Sequence, residues 1–141
     1  MAADDSRIDE LRRRVRQDPA SIAFAQLAEE CRRSGLLEEA VRVCRAGLVY
    51  HPAYLSARVT LGRALLALGR EEAAQVELEY VLRVAPDHLL ALRSLDELQQ
   101  HGRQALADPV LDALEGWLAA ILADRVARAG SGGSASRHPP Y

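Results

Sequence analysis

Along residues 55–88 apolar side chains recur at helical spacing, and the same arrangement of large, small and turn-forming residues appears 34 positions earlier. Leu61, Gly69, Ala74, Leu82 and Pro86 fall on Leu27, Gly35, Ala40, Leu48 and Pro52, while Leu61 moved forward falls on Leu95. Self-similarity at a fixed period is the mark of a repeat array, each unit burying its apolar face against its neighbours. Within each unit the i, i+3, i+4, i+7 spacing predicts two helices, over 21–33 and 37–50 and then over 55–68 and 71–84. Gly35 and Gly69 stand where a left-handed C-cap would end the first helix of each pair. Pro52 and Pro86 close the second. Each unit therefore reads as an αα-hairpin.

Phe24, Leu27, Ala28 and Cys31 mark the inward face of the first helix, and Ala40, Val41, Cys44, Leu48 and Val49 that of the second. The small residues carry the packing argument. Ala28 and Gly62 on the first helices face Ala40 and Ala74 on the second, allowing a close approach of the axes. Ahead of the repeats, Ile8, Leu11 and Val15 predict an amphipathic helix within 1–19 that stops at Asp18 and Pro19. The basic run 12–14 and Arg16 lies within two turns of Asp4, Asp5, Asp9 and Glu10, so it reads as a solvated face.

After the second unit the pattern loses register. Leu92, Leu95 and Leu98 begin a third copy, but Asp96 takes a small-residue position and Gly102 comes one residue early. Asp108 as N-cap with Pro109 at the first position predicts a new helix over 109–128. That helix reads as a cap on the array, which must show water a polar back. The other reading is a docking face for a second copy or a partner helix, anchored by Trp117 with Leu118 and Ile121. Residues 129–141, rich in Gly and Ser, read as a flexible tail.

The unit resembles the tetratricopeptide repeat, whose seven marker positions are filled by Phe24, Leu27, Ala28, Gly35, Ala40, Cys44 and Pro52, and again by Arg58, Leu61, Gly62, Gly69, Ala74, Leu78 and Pro86. Arg58 departs from the pattern, which expects a bulky apolar residue there, and the usual aromatics at two further positions are missing. The resemblance implies an all-α fold: a right-handed αα-hairpin solenoid over 20–128 with repeats at 21–54 and 55–88, a divergent third at 89–128, an N-terminal helix and a C-terminal capping helix. It also implies a concave groove lined by the first helix of each hairpin. Here that wall includes Ile22, Gln26, Glu29, Arg33, Val59, Arg63, Leu66, Arg93 and Glu97. Such a wall suits a peptide or helix with apolar anchors and acidic groups, since arginine holds a carboxylate through two parallel hydrogen bonds. Chaperone-binding members of the family grip a terminal carboxylate with lysine, asparagine and arginine where this chain has Ala25, Glu29, Thr60, Leu90 and Ser94, so that clamp is not expected.

Composition adds exclusions. Of 141 residues 49% are hydrophobic, 27% charged and only 4% aromatic, and the formal net charge is −2. Such a chain has no global electrostatic footprint for nucleic acid. The acidic N-terminus has no apolar run of a signal peptide and no long apolar segment follows, so no stable membrane insertion and a cytoplasmic location are expected. His51, His88, His101 and His138 lack the spacing of a metal site, and Cys31 and Cys44 sit at inward positions. No catalytic residue, metal or cofactor is expected. The expected role is a non-catalytic adaptor of small bacterial type binding an unidentified protein or peptide. The alternatives are a dedicated chaperone resembling the small bacterial secretion chaperones, or a structural subunit that forms homodimers through the C-terminal helix.

Overall fold

A computed structural model describes residues 2–131, which form six helices and, among the described residues, no strand. They are α1 (Ala2–Gln17), α2 (Ala23–Arg33), α3 (Leu37–Tyr50), α4 (Leu55–Ala67), α5 (Glu71–Val84) and α6 (Leu89–Ser131). The chain divides into two units, residues 1–99 and residues 100–141.

In the first unit the repeats fold as successive hairpins, α2 with α3 and α4 with α5, with α3 packed on α4 and α2 on α4. Both hairpin corners turn on a glycine in the left-handed region, Gly35 at φ +79° and Gly69 at φ +76°. At each corner the residue after the glycine donates its N–H five residues back: Leu36 to the Cys31 carbonyl at 2.8 Å, and Arg70 to the Leu65 carbonyl at 2.9 Å. This motif ties down carbonyls that the helix end would otherwise leave unpartnered.

The core holds Leu27, Ala28, Cys31, Ala40, Val41, Cys44, Leu61, Ala64, Leu65 and Ala74. α1, the expected amphipathic helix, shares it through Ile8 and Leu11. Arg12 of α1 fastens this helix to α3 with two parallel hydrogen bonds to Glu39, both 2.7 Å. That contact raises the Arg12 pKa and holds the Glu39 carboxyl below the usual carboxylate range.

Two close approaches set the helix spacing. A Cβ on Gly62 would stand 2.9 Å from Leu78 and 3.6 Å from the Ala74 carbonyl, which is the small-residue contact read from the repeat. The second approach has no counterpart in the sequence pattern: a Cβ on Gly47 would stand 2.0 Å from the ring of fully buried Phe24. Gly47 thus takes the inward slot of α3, and neighbouring Val49, expected inward, is 78% exposed.

Arg58, the misfit of the second repeat, has its own partners. Its guanidinium donates to the Pro52 carbonyl at 2.8 Å and to Glu77 at 2.9 Å, and lies 3.9 Å from the centroid of the Tyr80 ring. The aliphatic stem fills space while the charge is met by acceptors and a π-face, so an arginine serves where an apolar residue is usual.

The third repeat differs from the expectation. α6 runs unbroken through Gly102 and contains Pro109, so no turn follows Gln100 and no new helix begins at Asp108. Gly102 does not have the positive φ of Gly35 and Gly69. Counting 34 residues from Gly69 places Arg103, not a glycine, at the corner. Pro109 removes one helical N–H and crowds a carbonyl, a cost of about 3 kcal/mol, but strong helix formers surround it on both sides. The first part of α6 closes the array: Ala91, Ser94 and Leu98 are buried, and Ala91 packs with Val59, Leu78 and Val81.

In the second unit residues 103–130 are exposed throughout, Trp117, Leu118 and Ile121 included. Ala129 and Gly130 continue α6, and the expected flexible tail lies, from residue 132 on, outside the described residues.

Candidate functional site

The inner faces of α2 and α4 and the start of α6 frame a cleft of about 380 Å³ lined by Ala25, Gln26, Glu29, Tyr54, Ser56, Val59, Thr60, Arg63, His88 and Leu90. Glu29 of this lining anchors a four-residue polar network. Glu29 accepts two hydrogen bonds from Arg32, at 2.7 and 3.1 Å, one from Arg33 at 3.3 Å and one from the nearly buried Thr60 hydroxyl at 3.2 Å. These contacts, the Arg32 bond foremost, hold the Glu29 carboxyl below its ordinary range against the opposing effect of burial. The Arg32 pKa is raised by the same bond.

Arg63 differs from its neighbours. It is half-buried in the cleft, its charge favours the ionised form of Glu29, and among the described residues no carboxylate forms an ion pair with it. Around Glu29 the cations Arg32, Arg33 and Arg63 outnumber the one anion. The cleft lining sets Glu29 and Arg63 beside apolar Val59 and Leu90.

A family model described as Tetratricopeptide repeat matches residues 32–97. Among solved structures, the first tetratricopeptide-repeat domain of Spaghetti (RPAP3), bound to the HSP90 peptide SRMEEVD, aligns with a TM-score of 0.67 at 25% identity, covering 75% of this chain and 82% of that one. The second such domain of human RPAP3, in complex with the HSP70 peptide SGPTIEEVD, aligns with a TM-score of 0.62 at 25% identity, covering 65% and 78% respectively. Residues 32–97 thus carry the tetratricopeptide-repeat pattern, and the chain shares the helical-hairpin fold of those solved domains. No curated protein matches its sequence.

In repeat terms, the cleft gathers Gln26, Glu29, Val59 and Arg63 from the wall implied by the family pattern. Val59 is only 3% exposed and packs mainly with Leu78, Val81 and Ala91. Leu66 is half-buried against the core. Ile22, Arg33, Arg93 and Glu97 are exposed and do not line the cleft. Tyr54 and His88 line it, and sequence reasoning passed them over. They occupy the same place in successive repeats, 34 residues apart and one before a first helix, so the periodicity carried the signal.

The thiols stand apart from this surface. Cys31 and Cys44 are buried and free, and burial pushes their pKa values up to about 11 and about 12. Neither is a thiolate near neutral pH, the form a nucleophile or metal ligand requires. Among the described residues no group of three or more His, Cys, Asp or Glu is placed to hold a metal ion, and no helix is long and apolar enough to cross a membrane.

Proposed function

We propose that the chain is a non-catalytic, cytoplasmic adaptor that binds an extended or helical peptide of a partner protein in the α2–α4–α6 cleft, with an apolar side chain over Val59 and Leu90 and a carboxylate on Arg63. The observation that carries this reading is the half-buried, unpaired guanidinium of Arg63 in a cleft where Glu29 is already neutralised. A buried cation without a partner is costly, and an incoming carboxylate relieves that cost through paired hydrogen bonds.

The two solved domains above hold peptides ending in EEVD, which supports peptide binding by this fold. The chemistry proposed here differs. Ala25, Glu29, Thr60, Leu90 and Ser94 supply no second cation for a terminal carboxylate clamp, and Glu29 and Thr60 satisfy each other. Arg93 and Glu97, exposed on α6, extend the proposed surface beyond the cleft. A dedicated chaperone of the small bacterial kind would use the same cleft on a longer client segment.

Selection of random twelve-residue peptides on the immobilised chain tests this proposal. Enriched peptides should combine acidic and apolar residues, and Arg63→Glu should weaken them by on the order of tenfold or more with an unchanged circular dichroism spectrum. Enrichment of basic peptides, or equal binding by Arg63→Glu, would refute it.

A further inference from the structure

The second unit carries a surface that the cleft does not explain. Between Leu106 and Leu122 eight large apolar side chains, each 41–74% exposed, lie on one helix. At 3.6 residues per turn they fall within an arc of roughly 160°. The acids Asp108, Asp112 and Glu115 lie outside that arc, and Arg103 and Arg125 stand at its two ends. At on the order of 100 Å² for each side chain, the arc presents about 800 Å². That exceeds the ~300–600 Å² of a monomer's largest apolar patch and equals the ~800 Å² per partner of a stable interface.

We propose that this stripe pairs with the same stripe of a second copy, the two helices running antiparallel. Charge decides the direction. A parallel pair sets Arg103, Asp124 and Arg125 each against its own like. An antiparallel pair centred between Glu115 and Gly116 sets Leu114 opposite Trp117 and Val110 opposite Ile121. It also sets Arg103 opposite Arg128 of the second copy, where Asp124, which pairs with that Arg128 at 3.0 Å, lies within about one turn of Arg103 and offsets the like charges. Seven of the eight stripe positions then meet an apolar counterpart, Leu106 falling opposite Arg125, while Asp108, Asp112 and Glu115 stay in water. The contact is isologous, so it closes at two copies instead of growing into a fibre.

Light scattering and sedimentation equilibrium on the full chain, from about 1 to 100 μM, should give a dimer mass. Ile121→Asp places a charge in the seam and should raise the dissociation constant on the order of a hundredfold or more, with thermal unfolding of the repeats unchanged. Direction is read by oxidative cross-linking: a mixture of Leu114→Cys and Trp117→Cys chains should cross-link far more than either alone, the native thiols being buried. A wild-type monomer at 100 μM overturns the proposal, as does a dimer unaffected by Ile121→Asp. Cross-linking of either single variant as strong as that of the mixture overturns the antiparallel arrangement.

Discussion

Replacing Gly47 by alanine should destabilise the repeats strongly, although the same change in most helices is favourable. Alanine gains about 1 kcal/mol over glycine in a helix interior. At Gly47 the added methyl would lie 2.0, 2.1 and 2.5 Å from three carbons of the Phe24 ring, against a normal carbon contact of about 3.5–4.0 Å. The ring must therefore move by roughly 1.5 Å. Phe24 has no exposed surface, and it is flanked by His51 at 6.0 Å between ring centres and Tyr54 at 5.7 Å. His51 is itself anchored to the Ala20 carbonyl at 2.6 Å. Overpacking a core costs about 1–3 kcal/mol, and full loss of a buried phenylalanine about 3–5. A displaced but still buried ring lies between the two, leaving a net loss of about 2–3 kcal/mol after the helix gain. For a body of this size that lowers the melting temperature by about 8–20 °C, measurable by circular dichroism at 222 nm. Gly116→Ala is the contrast: nothing lies within 4 Å of its added methyl, and helix content should rise. A Gly47→Ala protein as stable as wild type would refute the Phe24–Gly47 contact, and Phe24→Leu in that background should recover part of the loss if the contact is right.

Two further outcomes follow from the side-chain chemistry. Arg58→Ala should cost about 1–3 kcal/mol by leaving half-buried Glu77 without its partner, and Arg58→Lys should restore little of it, because an ammonium cannot stack on Tyr80 while holding both oxygens; full rescue by lysine in urea denaturation would refute the stacked geometry. Stability should fall on acidification, since Glu29 and Glu39 both have folded pKa values below their ordinary 4.5: their contribution is present above the unfolded value and is lost as pH drops through the lowered folded values. Glu39→Gln should flatten part of that slope below pH ~5, and an unchanged slope would show that the Arg12 pair does not operate.

The hairpins are legible because each boundary has its own local chemistry. A left-handed glycine ends one helix, a proline closes the next, and both recur at one period. Gly47 leaves no such trace, since its counterpart 34 residues on is Val81. The structure explains the asymmetry: Phe24 needs a glycine opposite it, whereas Arg58, turned towards Glu77 and Tyr80, leaves room for a buried valine. Sequence spacing cannot show that two aperiodic departures compensate each other across a hairpin. In α6 two local signals compete. Asp108 and Pro109 form a sound start signal, yet a start signal competes with helix continuation, and the glycine needed to end the preceding helix stands one residue out of place. Within the cleft, Arg63 and Glu29 fall on the wall that the resemblance implies, while Tyr54 and His88 each stand one residue before a helix and so outside the positions it names.

The succession of packed helices also bears on how the chain acquires its structure. α1 packs on α2, α2 on α3, α3 on α4 and α4 on α5, and α2 also touches α4. The contacting helices are thus close in sequence, so few large loops must be closed before burial begins, and low contact order favours folding in microseconds to milliseconds. Either hairpin can serve as the nucleus, with growth proceeding one helix at a time. The interior hairpin contacts should be the last to exchange their amide hydrogens, and α1, held from one side only, should open first.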